Sequence, residues 1–144
     1  MLGALKSDKY FSNIDKVIRE MELIQDVFFT GFIEHKDLPS VYYMSSVFAF
    51  PSLYEGFGLP PLEAMACGCP VVSSNTSSMP EVLGDAALFF NPHHVEEISQ
   101  AIRHMLEDEN LRNRFRQKGL ERAKLFTIEK MTSRMLDILE MVHA

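Results

Sequence analysis

The sequence predicts an α/β fold, a single domain over residues 1–144 with a sheet of parallel strands, and three observations carry that prediction. Short apolar runs at 27–29, 47–50, 71–72 and 87–90 are each bounded closely by proline, glycine or asparagine, as strands are. Between and after them lie stretches whose apolar residues recur three and four apart, the helical connections that parallel strands need. A hydrophobic content of 47% over 144 residues is enough to bury one core.

Taken in order, residues 1–9 show no period and read as a lead from something that precedes them. Ile14, Val17, Ile18 and Met21 then mark an amphipathic helix over 13–23. The run Val-Phe-Phe-Thr at 27–30 reads as a short strand ended by Gly31, with Phe32 and Ile33 in the loop beyond. Asp37 caps a short helix whose Leu38, Val41, Tyr42 and Met44 are candidates to face inward, with Pro39 tolerated in its first turn. Residues 47–50 form a strand with the character of one buried on both faces, closed by Pro51 and Ser52.

The stretch that follows is the most informative. Gly56 and Gly58 flank Phe57, so the backbone can turn sharply and a ligand can approach its amides. Pro60 and Pro61 belong in a helix's first turn, which starts a helix near Leu59 with Leu62, Met65 and Ala66 inward and Gly68 as its C-cap. The free amides and partial positive charge at that start suit phosphate or another anion. Glu55 and Glu63 bracket the same point, with seven residues between them. A carboxylate accepts from two vicinal hydroxyls, so the pair suits a nucleotide sugar, one polyol on either side of a diphosphate. Taken singly, Glu55 reads equally as a solvated turn residue and Glu63 as a complement to the helix dipole.

After the strand opened by Val71 and Val72, Ser78 and Glu81 form a capping box for a short helix ending at Gly84. The strand at 87–90 ends at Asn91 and Pro92. His93 and His94 are adjacent, would point apart in extended chain, and read as a loop or helix entry rather than a metal pair. Ile98, Ala101, Ile102 and Met105 mark one helix, and Leu111 and Phe115 a second that runs past Gly119 to Leu125. Thr127 N-caps a last helix whose Ile128, Met131, Met135, Ile138 and Val142 form a packing stripe toward the sheet or a neighbouring domain.

Fourteen Lys and Arg against twenty Asp and Glu leave a net charge of −6, which argues against a nucleic-acid backbone as partner. Cys67 and Cys69 lack the second pair or nearby His that a metal site needs and read as buried small residues. No run approaches the roughly 20 apolar residues of a membrane span, and the N-terminus lacks a signal-peptide layout. The expected location is cytoplasmic.

The run Phe50-Pro51-Ser52-Leu53-Tyr54-Glu55-Gly56-Phe57-Gly58-Leu59-Pro60-Pro61-Leu62-Glu63-Ala64-Met65-Ala66-Cys67-Gly68, followed by Pro70-Val71-Val72, resembles the C-terminal donor-binding domain of retaining glycosyltransferases of the GT-B fold, the group 1 family that includes many bacterial mannosyl- and glucosyltransferases. The signal is specific because turn, paired carboxylates, prolines and strand occur in one order. The resemblance implies a Rossmann-like parallel sheet with flanking helices, the C-terminal half of a GT-B fold, incomplete at its N-terminal side. It implies that Glu55 contacts the donor sugar as the catalytic carboxylate and that Glu63 binds the ribose hydroxyls. It implies further that the amides of Gly56, Phe57, Gly58 and Leu59 face the diphosphate, and that Gly31, Phe32 and Ile33 contact the base. The donor would be a UDP-, GDP- or ADP-sugar, with no metal or other cofactor, and the acceptor is unspecified.

The family's donor domain begins with two strands that have no counterpart here, and the region holding them supplies an Arg and a Lys for the diphosphate that neither Lys6 nor Lys9 replaces. The N-terminal acceptor domain has no counterpart either. The expectation is therefore part of a transferase, inactive when isolated. The alternative is a non-catalytic nucleotide-sugar-binding or interaction module, and a phosphorylase-like enzyme ranks third because no cofactor lysine is evident.

Overall fold

A computed structural model describes residues 9–143, and the chain divides at Leu38 and Pro39 into two units. The unpatterned lead at residues 1–8, Lys6 included, lies outside the described residues.

In the first unit the helical period produces α1 (Lys9–Glu20), with Ile18 buried and Val17 and Met21 exposed. The helix stops before Leu23 because Glu22 turns to a φ of 58°. Its N–H then meets the Arg19 carbonyl at 3.1 Å and that of Leu23 meets Ile18 at 2.9 Å, the paired bonds of a Schellman cap. The strand expected at 27–30 is not formed. That stretch is irregular and its Phe28 is 80% exposed. β-propensity alone does not make a strand without a neighbour to complete its ladder.

The second unit carries the sheet. A short helix, α2 (Leu38–Met44), opens at the division, and of its four expected inward residues only Tyr42 is buried, Val41 and Met44 being exposed. Then follow β1 (Phe48–Phe50), α3 (Leu59–Ala66), β2 (Val71–Ser74), α4 (Met79–Leu83), a 3-10 turn (Gly84–Ala86) and β3 (Ala87–Phe90). Three longer helices complete it: α5 (Val95–Glu107), α6 (Glu109–Ala123) and α7 (Ile128–His143).

The strands are parallel in the order β1-β2-β3, with Phe48 opposite Val71 and Val71 opposite Ala87. All four residues of β2 are buried, as a central strand's are. β1 departs from the expected burial on both faces, since Ala49 is exposed. The reason is position: among the described residues β1 has a neighbour on one side only.

Val72 and Phe90 pack with Ala101 and Met105 of α5 and Phe115 of α6 to make the core. α3 buries Leu62 and Met65 as the spacing predicts, but Ala64 takes the inward place expected of Ala66. It ends in a second Schellman cap, with Cys67 as C-cap and Gly68, at a φ of 73°, one position beyond. The Gly68 N–H meets the Met65 carbonyl and that of Cys69 meets Ala64, each at 2.9 Å. Gly119 lets α6 lie close on α3, because a Cβ there would come within 3.1 Å of the Met65 Cγ.

His94 is the N-cap residue of α5, and Glu97 reaches back to the Asn91 N–H at 2.9 Å and to His94 Nδ1 at 2.7 Å. The Thr127 hydroxyl accepts from the Lys130 N–H at 3.3 Å at the start of α7. The stripe on α7 does not pack on the sheet: Ile128, Met131, Met135, Ile138 and Val142 are each more than half exposed.

Met105→Ala should therefore cost about 2–5 kcal/mol through lost burial and a residual cavity. Met135→Ala, on the exposed stripe, should change stability by no more than about 0.5 kcal/mol. Chemical denaturation of the two variants beside the parent chain measures both.

Candidate functional site

Because β1 and β2 are parallel neighbours, the loops that leave their C-terminal ends lie together, where ligands of open α/β sheets bind. The first loop, 51–58, carries the glycine turn. The second, 75–78, carries Thr76, Ser77 and Ser78.

These three hydroxyls strap the first loop. Thr76 Oγ1 is shared between the carbonyls of Ser52 at 3.3 Å and Leu53 at 3.2 Å. Ser77 Oγ donates to the Glu55 carbonyl at 2.6 Å and accepts from the Glu55 N–H at 3.4 Å. Ser78 Oγ is shared between the carbonyls of Glu55 at 3.1 Å and Phe57 at 3.3 Å. The capping box expected at Ser78 and Glu81 is thus not formed, for Ser78 makes no side-chain bond to its own helix. Ser78 has a φ of −78° and a ψ of −9°, helical values rather than the extended ones from which an N-cap oxygen reaches its own helix, and its O–H donates to the loop. Ser77 holds a φ of 55°, a conformation costly for a residue with a side chain and kept at functional loops.

Gly58, the N-cap residue of α3, has a φ of 95° and lies buried under Met79. With its loop's carbonyls taken up, the N–H groups of Gly56, Phe57 and Gly58 find no acceptor among the described residues. Pro60 and Pro61 contribute no N–H, so the donors at this helix start come from the loop and Leu59 rather than from the first full turn. Leu59 is 60% exposed, while Gly58 before it is buried.

Glu63 lies just inside α3, half-buried, on the wall of a cavity of about 420 Å³ whose other residues include Phe57, Leu59, Leu62, Phe126 and Met131. The Tyr42 hydroxyl faces its Oε2 at 3.4 Å. Burial first, then the charge and hydrogen bond of Glu63, push the Tyr42 hydroxyl up to about 12. Glu55 is also half-buried, but its Oε1 accepts from Ser52 Oγ at 2.9 Å and it does not line that cavity. The structure therefore brings Phe57, Leu59 and Glu63 onto one cavity and leaves Glu55 in the strapped loop. Gly31, at a φ of 65°, exposed Phe32 and half-buried Ile33 belong to the first unit.

Phe57 is braced from behind. Its ring meets Phe126 edge-on at 5.8 Å, and the Arg122 guanidinium lies 5.2 Å from the Phe126 centroid while donating to the carbonyls of Glu81 and Val82. Sequence reading missed Tyr42 as a polar partner, the three hydroxyls as straps, and the Arg122 to Phe126 brace. The only local sign of any of them was the Thr76-Ser77-Ser78 cluster directly after a buried strand. Among the described residues no His, Cys, Asp or Glu cluster suits a metal, and no helix is long and apolar enough to cross a membrane.

Gly58→Ala should lose about 1–2 kcal/mol to the left-handed backbone alone, and Ser77→Ala about 0.5–1.5 kcal/mol through its hydrogen bonds. Thermal unfolding tests both. Tyr42 contributes stability that is complete below its unfolded value, near about 10, and is lost as pH climbs through about 12. Melting curves taken across that alkaline window should accordingly fall more steeply for the parent chain than for Tyr42→Phe.

Comparison with known proteins fits this arrangement. The family model described as Glycosyl transferases group 1 matches residues 2–122. The O-antigen chain mannosyltransferase B of Escherichia coli is 45% identical over 109 residues, covering 76% of this chain and 29% of that protein. A sucrose-phosphate synthase structure from Thermosynechococcus elongatus superimposes with a TM-score of 0.86 at 28% identity, covering 99% of this chain and 38% of its own. Anabaena HepE, solved in complex with UDP, gives a TM-score of 0.87 at 22% identity, covering 96% and 39%, a likeness of fold. The chain thus spans well under half the length of each of these proteins, and its sheet and helices correspond to part of a GT-B fold. By sequence and by fold together, this chain belongs to the glycosyl transferases group 1 family.

Proposed function

We propose that the second unit is the donor-binding part of a retaining glycosyltransferase, which holds a nucleotide diphosphate sugar for transfer to an acceptor bound elsewhere. The observation that carries this reading is the row of N–H groups at Gly56, Phe57 and Gly58 that have no acceptor among the described residues, at the start of the helix that puts Glu63 on a cavity wall. A diphosphate is the ligand that such a row serves, since backbone N–H groups supply the field that the net charge of −6 does not. Glu63 accepts from the ribose hydroxyls. Glu55, kept in the adjoining loop by Ser52 and Ser77, reaches the donor sugar.

In this reading the chemistry rests on position and charge. The amides stabilise the diphosphate as it leaves, which is the kind of preorganised donor set that lowers a barrier without itself reacting. The donor is a UDP-, GDP- or ADP-sugar, and no metal or other cofactor takes part. The relative at 45% identity, a mannosyltransferase by name, supports a sugar donor. Transfer itself also needs an acceptor-binding part and basic groups that neutralise the diphosphate, and the role proposed for these residues is to bind the donor.

Calorimetry with UDP-glucose and GDP-mannose tests this. One of the two should bind, and Glu63→Ala should weaken it by tenfold or more, as loss of hydrogen bonds to a charged group does. Failure of every nucleotide sugar to bind would favour an interaction module derived from such an enzyme, and sugar transfer by this chain alone would contradict the proposed division of labour.

A further inference from the structure

The residue closest to Glu63 in chemical terms is one that the donor-site reading does not use. Tyr42 stands on α2, is 5% exposed, and packs its ring edge-on against Phe48 of β1 at 5.4 Å and 87°. That contact fixes the ring to the sheet. Among the described residues its hydroxyl makes one hydrogen bond, to Glu63 Oε2 at 3.4 Å.

We propose that Tyr42 is a positioning residue for Glu63, its hydroxyl holding the carboxylate in the orientation that presents the remaining lone pairs to two vicinal ribose hydroxyls. The inference rests on the donor-site reading above and adds to it the group that sets the geometry. A glutamate on a helix surface has three rotatable side-chain bonds, and ordering it when ligand arrives costs binding free energy. A donor fixed to the sheet through Phe48 removes part of that cost beforehand. The carboxylate has about four lone-pair sites for hydrogen bonds. Tyr42 occupies one on Oε2, which leaves Oε1 and the rest of Oε2 for a diol. The separation exceeds the roughly 2.7 Å of a strong hydroxyl bond, as hydrogen bonds in ligand-free sites commonly do, so the expected effect is modest.

A purely structural role, Glu63 merely satisfying a buried hydroxyl, predicts something different. It would lower stability in Tyr42→Phe and leave recognition of the ribose untouched.

The experiment measures binding of UDP and GDP, and of their 2′,3′-dideoxy forms, to the parent chain, Tyr42→Phe and Glu63→Gln. Tyr42→Phe keeps the ring and its contact with Phe48. It should weaken the ribonucleotide roughly three- to tenfold, the range of an ordinary hydrogen bond and below that of a strong one to a charged group, and leave the dideoxy nucleotide unchanged. Equal loss on both nucleotides, or no loss on either, while Glu63→Gln still weakens the ribonucleotide, overturns the role of Tyr42 and leaves the donor site standing. No binding of either nucleotide by the parent chain overturns the donor site and this inference with it.

Should Tyr42→Phe not fold, tyrosine absorbance titration of the parent chain and Glu63→Gln decides the pairing. Cys67 and Cys69 also act on Tyr42 and are present in both chains. The most alkaline tyrosine should titrate lower in Glu63→Gln, and an unchanged titration would show that the two side chains do not interact.

Discussion

The geometry of the site depends on the bonds that run from three consecutive hydroxyls to the carbonyls of a neighbouring loop. Thr76, Ser77 and Ser78 follow the buried central strand, and they reach the carbonyls of Ser52, Leu53, Glu55 and Phe57. A peptide unit that spends its carbonyl on one side presents its N–H toward the other. The straps thus decide which way the 51–58 loop faces, and they do so from a strand whose position is set by pairing on both edges. The amides of Gly56 and Gly58, whose peptide units carry the bonded carbonyls of Glu55 and Phe57, are oriented by that arrangement as much as by the helix that follows.

The same loop is held from two further directions. Gly58 slides under Met79 at a φ that only glycine adopts cheaply, which draws the start of α3 down onto α4. Phe57 leans on Phe126, and Phe126 on Arg122, whose guanidinium closes the end of α4 through the carbonyls of Glu81 and Val82. Close packing of α6 on α3 at Gly119 places this brace where Phe57 can meet it. A site for a flexible, highly charged ligand gains from such stiffness, because ordering it on binding would consume part of the affinity.

The parts of this fold that were legible in the sequence are those written locally. Glycines at 56, 58 and 68 and prolines at 60 and 61 each act on their own backbone, so the turn, the start of α3 and its end could be placed from them directly. The parts that were not legible depend on residues distant in the chain. Residues 27–30 have strand composition but no ladder in the structure. Ser78 and Glu81 match a capping pattern, yet Ser78 takes helical backbone angles and its hydroxyl donates to carbonyls 21 to 23 residues away. Ala66 and Ala64 differ by half a turn in facing, a distinction that two alanines do not signal. The two carboxylates could be named from their order along the chain, whereas their separate settings, Glu63 on the cavity and Glu55 held by Ser52, follow from tertiary contacts.

The central claim is that the amides of the strapped loop, with Glu63 beside them, receive a nucleotide diphosphate. Backbone amide NMR of the chain titrated with UDP and GDP tests it most directly, residue by residue. The account predicts that the largest shifts fall on Gly56, Phe57, Gly58 and Leu59 with a smaller set around Glu63, and that inorganic phosphate reproduces the first group alone. Shifts concentrated elsewhere, with those four amides unmoved at saturation, would contradict it.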